Sequence, residues 1–131
     1  MTERITTAGI AIRNGKILVG KRVKGGSLSE KWEFPGGKNR WGESVFDTLK
    51  REYDEELGVE VNVGDEIFHY DFVNNDTQYH LKACLVEVLS DDFRLIVHTE
   101  MKWVDQAELM SLPMGGSDDA IRDFLVKNSF I

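Results

Sequence analysis

The chain has 131 residues, of which 41% are hydrophobic and 30% charged, a balance typical of one folded domain rather than a disordered segment. Its formal net charge of −7 argues against general electrostatic binding to nucleic acid or to an anionic membrane. Cys84 is the single cysteine, so no intrachain disulfide can form, and the N-terminal segment lacks the apolar run of a signal peptide or membrane span. We therefore expect one cytoplasmic domain over residues 1–131.

The first part of the chain predicts short strands separated by tight turns. Asn14-Gly15 is a strong hairpin signal, because both residues tolerate the positive φ angles of the turn. A polar loop over 23–31 follows the hairpin. The predicted strands cover residues 5–12, 16–22 and 32–34, and the last of them stops at Pro35-Gly36-Gly37.

From Ser44 the apolar period changes from that of a strand to that of a helix. Ser44, with Asp47 three residues on, is a plausible N-cap, and Gly58 is a plausible C-terminal stop. Four apolar residues recur at helical spacing and predict the buried stripe: Phe46, Leu49, Tyr53 and Leu57.

The rest of the chain mixes strands and helices. Asn74-Asn75-Asp76 separates two segments rich in β-branched and aromatic residues, which predicts an antiparallel pair. The predicted strands are 59–72, 78–88 and 101–104, and the predicted helices are 105–110 and 117–127. The intermixing predicts a mixed sheet with helices on its faces.

The helix that ends at Gly58 carries Glu52, Glu55 and Glu56 on one face. Carboxylates near a helix C-terminus are unfavourable, and like charges at this spacing repel. A cation must offset them, and two kinds are open. One is a side chain such as Arg51 or Lys50, and the other is a hard divalent metal ion.

The wider segment, GKNRWGESVFDTLKREYDEELGV at residues 37–59, resembles the signature box of the Nudix hydrolases. The matching positions are Gly37, Glu43, Arg51, Glu52, Tyr53, Glu55, Glu56, Gly58 and Val59. Tyr53 departs from the pattern, which usually has an aliphatic residue there. The preceding WEFPGG resembles the MutT-type branch of the family.

This resemblance implies an α/β (α+β) fold, an α/β/α sandwich with a mixed sheet flanked by helices. It also implies hydrolysis of nucleoside diphosphates linked to another moiety, with Mg²⁺ or Mn²⁺ as cofactor. By position, Glu52, Glu55, Glu56 and the Gly36 carbonyl match the metal ligands, and Arg51 matches the residue that orients the glutamates. The matching carboxylate of Glu43 lies near that site or stabilises the helix N-terminus.

The resemblance leaves the proton acceptor open. MutT-type proteins often have Glu-His, a second Glu and then Trp in a loop of the second half. Here Val97 stands in the place of the first Glu before His98, so either Glu100 substitutes or the box glutamates suffice. His69, His80 and His98 lack the spacing of zinc ligands, and we expect structural roles for them.

Four residues match substrate-binding positions of MutT-type proteins. Arg22 matches a phosphate contact, Phe34 and Phe72 match base-pocket aromatics, and Asp118 matches a residue that reads the base edge. Each has a plainer alternative: a solvated cation for Arg22, core packing for the aromatics, and a helix N-cap for Asp118.

The leading expectation is a MutT-type nucleoside triphosphate pyrophosphohydrolase that releases a nucleoside monophosphate and pyrophosphate, with oxidised purine nucleotides among its substrates. The alternatives are another Nudix substrate (ADP-ribose, a nucleotide sugar or a pyrimidine triphosphate), a non-catalytic nucleotide-binding module, or an acidic interaction domain. The intact glutamates Glu52, Glu55 and Glu56 argue against the module, and the interaction domain leaves the box unexplained.

Overall fold

A computed structural model describes residues 1–26 and 29–131. Ser27 and Leu28, within the predicted loop 23–31, lie outside the described residues. The elements in chain order are β1 (Thr2–Ile10), β2 (Ile12–Arg13), β3 (Lys16–Arg22), β4 (Trp32–Glu33), α1 (Val45–Leu57), β5 (Val61–Asn74), β6 (Thr77–Val88), β7 (His98–Val104), α2 (Gln106–Ser111) and α3 (Ser117–Lys127). Among the described residues, no helix is long and apolar enough to cross a membrane.

The strands form two sheets, where the sequence predicts one mixed sheet. β6 lies between β1, to which it is parallel, and β5, to which it is antiparallel. The second sheet is antiparallel and has β3 paired with β2, β4 and β7. The strand expected over 5–12 is interrupted at Ala11. Its first part belongs to β1 in the first sheet, and its last residue belongs to β2 in the second sheet.

Two apolar clusters hold the layers together and confirm the sandwich architecture. One cluster contains Leu109 of α2 and Ile121 and Leu125 of α3, packed against the sheets from one side. The other contains Leu49 and Leu57 of α1 on the opposite side. The helices therefore lie on both faces of the sheet layer, as the resemblance implies.

The helix α1 begins and ends as predicted, but its buried stripe starts later than expected. Ser44 accepts a hydrogen bond from the Asp47 amide, and Gly58 ends the helix with φ of 67°. Phe46 is 50% exposed, so its predicted core position is wrong. The first turn of α1 instead buries Thr48, which bonds to the preceding loop at Asn39.

The strand β7 begins at His98, earlier than the predicted 101–104. This corrects the expectation that Glu100 lies in a loop before Trp103. A shift in strand register between Lys21 and Arg22 on β3 accompanies the added residues, because Glu100 pairs with Lys21 and His98 with Arg22.

Tyr53, the departure from the family pattern, is fully buried beneath β1. A Cβ placed on Gly9 of β1 would overlap the Tyr53 hydroxyl and would lie 2.7 Å from its Cε1. The phenol therefore occupies space that any side chain at position 9 would need. Burial also raises the pKa of Tyr53 far above its ordinary value, so the hydroxyl stays protonated.

We expect Gly9→Ala to destabilise the protein by about 1–3 kcal/mol, the usual cost of overpacking a filled core. In a Tyr53→Leu background, Gly9→Ala should destabilise the protein less, because the phenol ring that the added methyl group would overlap is absent. Urea unfolding of the four proteins measures the coupling. If Gly9→Ala destabilises the native protein and the Tyr53→Leu variant equally, the requirement for glycine at position 9 does not come from Tyr53.

Candidate functional site

A cleft of about 560 Å³ opens between the two sheets and brings most of the predicted site residues together. Its walls come from β1, the 33–38 segment, α1, the joined ends of β5 and β6, and the start of α3. The predicted residues that line it are Arg22, Phe34, Gly36, Glu52, Glu56, Phe72 and Asp118. Arg51, Glu55 and Glu100 are not among its lining residues.

The glycine segment before α1 lies against β1. The Gly9 amide donates to the Pro35 carbonyl at 2.7 Å, and the Thr7 amide donates to the Gly37 carbonyl at 2.8 Å. Because the carbonyls on both sides of it bond to β1 and Gly36 itself lines the cleft, we infer that the Gly36 carbonyl is directed away from β1. This leaves the predicted backbone ligand free to face the cleft.

The two glycines of this segment permit its close approach to β1 and α1. A Cβ at Gly36 would overlap the Thr7 backbone, and a Cβ at Gly37 would lie 2.6 Å from Oε1 and 2.7 Å from Oε2 of Glu52. Any larger residue at position 37 would therefore displace the Glu52 carboxylate.

Arg51 gathers the acidic side chains around α1. Its guanidinium bonds to both carboxylate oxygens of Glu43 (2.7 and 3.0 Å), to Glu52 Oε1 (2.9 Å), to Glu55 Oε2 (3.2 Å) and to the Lys38 carbonyl (3.0 Å). Hydrogen bonding to Arg51 is the largest cause that lowers the pKa of Glu43 to about 2, and bonding to Glu43 raises the pKa of Arg51. Glu43 is thus the strongest partner of the arginine.

Glu55 points away from the cleft. Its side chain is 46% exposed and contacts Arg40 at 3.5 Å as well as Arg51. Of the three glutamates on this face, Glu52 and Glu56 therefore share the cleft, while two arginines already neutralise Glu55.

Among the described residues, Glu56 forms no salt bridge, although the charge of Arg22 acts to lower its pKa. Its Oε1 is buried and has no hydrogen-bond partner among the described residues. Burial, followed by the charges of Glu33 and Glu52, raises the pKa of Glu56 to about 8. A buried unpaired carboxylate oxygen is costly, and hard divalent ions prefer carboxylate and carbonyl oxygens. Glu52, Glu56 and the Gly36 carbonyl therefore fit a divalent metal ion.

Two residues that sequence reasoning did not assign to the site, Glu33 and His98, lie beside Glu56. The buried His98 ring has Nε2 at 2.9 Å from Glu33 Oε2, and Arg22 Nη1 is 3.5 Å from the same oxygen. One ligand atom each from Glu33, Glu56 and His98 lie within 4.8 Å of one another. The available signal was the charge of Glu33 inside the apolar segment Trp32–Phe34, since a buried charge requires partners.

Asp118 connects the start of α3 to the 33–38 segment. Its Oδ1 accepts a hydrogen bond from the Phe34 amide at 3.1 Å. Burial, and then the charge of Glu33, raises the pKa of Asp118 to about 8. The N-cap of α3 is Gly116, with no side-chain cap, so the alternative of Asp118 as a capping residue is wrong.

The aromatic residues of the cleft have different surroundings. Phe34 belongs to the buried core and also lines the cleft, so core packing does not remove it from the cleft wall. Phe72 is half-buried and stacks on Tyr79 with ring centroids 5.1 Å apart. Lys38, which also lines the cleft, has its Nζ 5.6 Å from the centre of the Tyr79 ring. Sequence reasoning missed Tyr79 and Lys38, which only the pairing of the strands brings here.

Glu100 lies away from this arrangement. It is exposed on β7, where it pairs with Lys21. The carbonyl of Val97, which stands where the resemblance expects a glutamate, accepts a hydrogen bond from the Val23 amide. The carboxylates that the cleft does bring together are Glu33, Glu52, Glu56 and Asp118.

The comparisons with known proteins agree with this architecture. The NUDIX domain family matches residues 3–123. A Mycobacterium tuberculosis protein whose name describes a candidate 8-oxo-dGTP diphosphatase is 38% identical over 83% of this chain and 78% of its own length. The Escherichia coli CTP pyrophosphohydrolase is 32% identical over 85% of this chain and 82% of its own length. The solution structure of the E. coli ORF135 protein is 29% identical, covers 94% of this chain and 88% of its own, and superposes with a TM-score of 0.81.

We expect the free energy of unfolding of Glu43→Gln to depend less on pH below pH 4.5 than that of the native protein. Arg51 lowers the pKa of Glu43 from 4.5 to about 2, so the stabilisation is fully present above pH 4.5 and is lost as the pH falls toward 2. Urea unfolding at stepped pH in this window should show a steeper decline for the native protein than for the variant. The exposed Glu60→Gln serves as control and should follow the native curve. Parallel curves for native protein and Glu43→Gln would contradict the pairing.

Proposed function

Because the chain belongs to the Nudix hydrolase family, we propose that it is a MutT-type pyrophosphohydrolase that cleaves a nucleoside triphosphate to a nucleoside monophosphate and pyrophosphate. The single observation that carries this proposal is the unpaired buried oxygen of Glu56 beside Glu52 in a cleft large enough for a nucleotide. Ionising Glu56 in this buried setting costs free energy that a bound divalent cation would offset, which supports a metal-dependent reaction.

The cofactor that we propose is Mg²⁺, with Mn²⁺ as the substitute of similar coordination chemistry. Glu52, Glu56 and the Gly36 carbonyl would hold it, and Glu55 would join them only if its carboxylate left Arg40 and Arg51. Such an ion, when bound, neutralises phosphate oxygens and lowers the pKa of water.

The side chains of this chain supply positioning and proton transfer. Arg22 and Lys38, on the cleft walls, would bind phosphate oxygens. Arg51 holds the Glu52 carboxylate in place through its 2.9 Å bond. We propose that the proton of the attacking water goes to a cleft carboxylate, because Glu100 lies outside the cleft.

The base would lie between the aromatic wall of Phe34 and Phe72 and the carboxyl group of Asp118. With a pKa of about 8, Asp118 is mostly protonated at neutral pH and can donate one hydrogen bond as well as accept. Guanine offers donors at N1 and N2 and an acceptor at O6, which an acid of this kind complements. The similarity to the candidate 8-oxo-dGTP diphosphatase supports a guanine-type nucleotide, the oxidised form included.

A second candidate substrate is a pyrimidine triphosphate. It is favoured by the similarity to the E. coli CTP pyrophosphohydrolase, since cytosine also presents a donor and an acceptor side by side at N4 and N3. The two candidates differ in ring size and in the number of donors, so a substrate panel separates them.

We expect Glu56→Gln to reduce Mg²⁺-dependent turnover strongly and to remove Mg²⁺-dependent stabilisation. Binding to the folded state alone raises the free energy of unfolding by about 2.7 kcal/mol when Mg²⁺ is about 100 times its Kd. Thermal unfolding with and without Mg²⁺ measures this gain, and pyrophosphate release should fall roughly 10²- to 10⁴-fold. Asp54→Asn, an exposed change on the same helix, is the matched control.

Three outcomes decide between the parts of this proposal. An undiminished Mg²⁺ effect in Glu56→Gln would overturn the metal assignment. A large loss of turnover in Glu100→Gln would indicate that Glu100 on β7, rather than a cleft carboxylate, accepts the proton. Turnover that survives excess chelator would reject the metal-dependent reaction altogether.

We expect Asp118→Ala to erase the base preference while phosphate cleavage continues. The preferred nucleotide should lose about tenfold in kcat/KM relative to the others, the effect of one hydrogen bond worth about 1.4 kcal/mol. Asp118→Asn should keep the preference, because an amide both donates and accepts and can still bond the Phe34 amide. A panel of guanine, oxidised guanine and cytosine triphosphates measures the three proteins. A preference unchanged in Asp118→Ala would remove Asp118 from base recognition.

A further inference from the structure

Three metal-binding side chains converge on the surface where β5 and β6 approach their connecting turn. His69 Nε2 lies 2.7 Å from Asp71 Oδ1, and His80 Nδ1 lies 2.9 Å from the same oxygen. Glu3 of β1 completes the group, since its Oε1 is 3.0 Å from His80 Nε2. Strand pairing creates this convergence, because Asp71 stands opposite His80 and His69 lies two residues along the same face.

This group is separate from the nucleotide cleft. Side chains alternate between the two faces of a strand, and Phe72 and Tyr79, the sequence neighbours of Asp71 and His80, line the cleft. The histidines therefore lie on the other face of the same sheet. The exposed fractions of the His69, Asp71 and His80 side chains are 49%, 52% and 29%, so a dissolved ion can reach them.

The hydrogen-bond geometry favours a cation at this place, either a second proton on His80 or a metal ion. A neutral imidazole has one N–H group, yet both ring nitrogens of His80 face carboxylate oxygens. If Nε2 donates to Glu3, then the lone pair of Nδ1 faces Asp71 unless a second proton or a metal ion lies between them. His69 presents a further nitrogen to the same Asp71 oxygen.

We propose that His69, Asp71 and His80 form a second metal site, selective for a borderline transition-metal ion such as Zn²⁺. One ligand atom from each residue lies within 4.8 Å of the others, and replacing the shared protons by an ion requires only a small expansion of the group. Two imidazole nitrogens and one carboxylate oxygen suit Zn²⁺ better than Mg²⁺, which prefers oxygen ligands. A water molecule would complete the tetrahedron.

Glu3 gives the site the outer carboxylate that zinc-bound histidines usually have. By accepting the Nε2 proton of His80, it leaves Nδ1 free to bind the ion and fixes the ring orientation. Glu3 belongs to β1, so the site would join β1, β5 and β6 at one end of the three-stranded sheet. An ion there would stabilise the turn beside Asn74, which lines the cleft on the other face.

Zn²⁺ titration of the full chain by calorimetry, with excess Mg²⁺ and in the Glu56→Gln background, tests this site after one member of the Glu33, Glu56 and His98 group in the cleft has been removed. We expect saturable binding of one ion. His69→Ala, Asp71→Asn and His80→Ala should each abolish it, and Glu3→Gln should weaken it about 10- to 100-fold. Glu66→Gln, an exposed carboxylate on β5 outside the group, is the matched control and should bind as tightly as the background protein.

Thermal unfolding supplies the second measurement. Zn²⁺ should raise the melting temperature of the Glu56→Gln protein and leave that of the His69→Ala variant unchanged, and His69 is exposed enough for its loss to leave the core intact. Absence of saturable binding, or binding that persists in His80→Ala, would overturn the proposal. The group would then be a proton-linked network of His80 with Asp71 and Glu3.

Discussion

The acidic face of α1 depends on the hydrogen bonds that the Arg51 guanidinium donates. One guanidinium contacts the carboxylates of Glu43, Glu52 and Glu55 and the Lys38 carbonyl, so it ties the helix to the loop before it. Without that charge, only the contact of Arg40 with Glu55, among the described residues, would offset the repulsion between the carboxylates near the C-terminus of α1. Arg51 does this from outside the cleft, which leaves the cleft faces of Glu52 and Glu56 free.

The cleft also holds two acidic side chains, Glu56 and Asp118, that Arg51 does not contact. Burial together with neighbouring carboxylates raises the pKa of both Glu56 and Asp118 to about 8, and Glu33 contributes to both shifts. A carboxyl whose folded pKa lies above its unfolded value costs stability as the pH rises from 4.5 through 8. A bound cation removes that cost, so the same burial that destabilises the free protein provides the driving force for binding metal and, with it, a polyphosphate.

Local signals in the sequence were sufficient for α1 and for the hairpins, because caps and turns depend on residues close in the chain. Ser44, Gly58 and Asn14-Gly15 behave as their chemistry requires. The errors arise where distant segments meet. Phe46 is exposed although its spacing is helical, and the strand expected over 5–12 divides at Ala11 between two sheets.

The same distinction applies to the candidate site. The family pattern predicted Glu52 and Glu56 from the box and Gly36 from the WEFPGG segment directly before it, since all three lie close together in the chain. No local pattern could place Glu33 and His98 together, because 65 residues separate them and only the pairing of β3 with β4 and β7 brings them to 2.9 Å. The His69, Asp71 and His80 group was hidden for the same reason, since the spacing along one strand gave no zinc signature and the cross-strand partner was not visible.

Tyr53 shows how the fold accommodates a departure within an otherwise matching motif. The phenol is larger than the aliphatic residue usual there, and β1 provides the space through Gly9. The Gly9 amide also donates to the Pro35 carbonyl, directly before Gly36, which lines the cleft. The contact between Tyr53 and Gly9 therefore sets the distance of β1 from α1 and, through the 35–37 segment, the position of the backbone ligand relative to Glu52 and Glu56. The aromatic residue at position 53 therefore affects the proposed metal ligands as well as the packing, because the hydrogen bond from Gly9 to Pro35 connects the two.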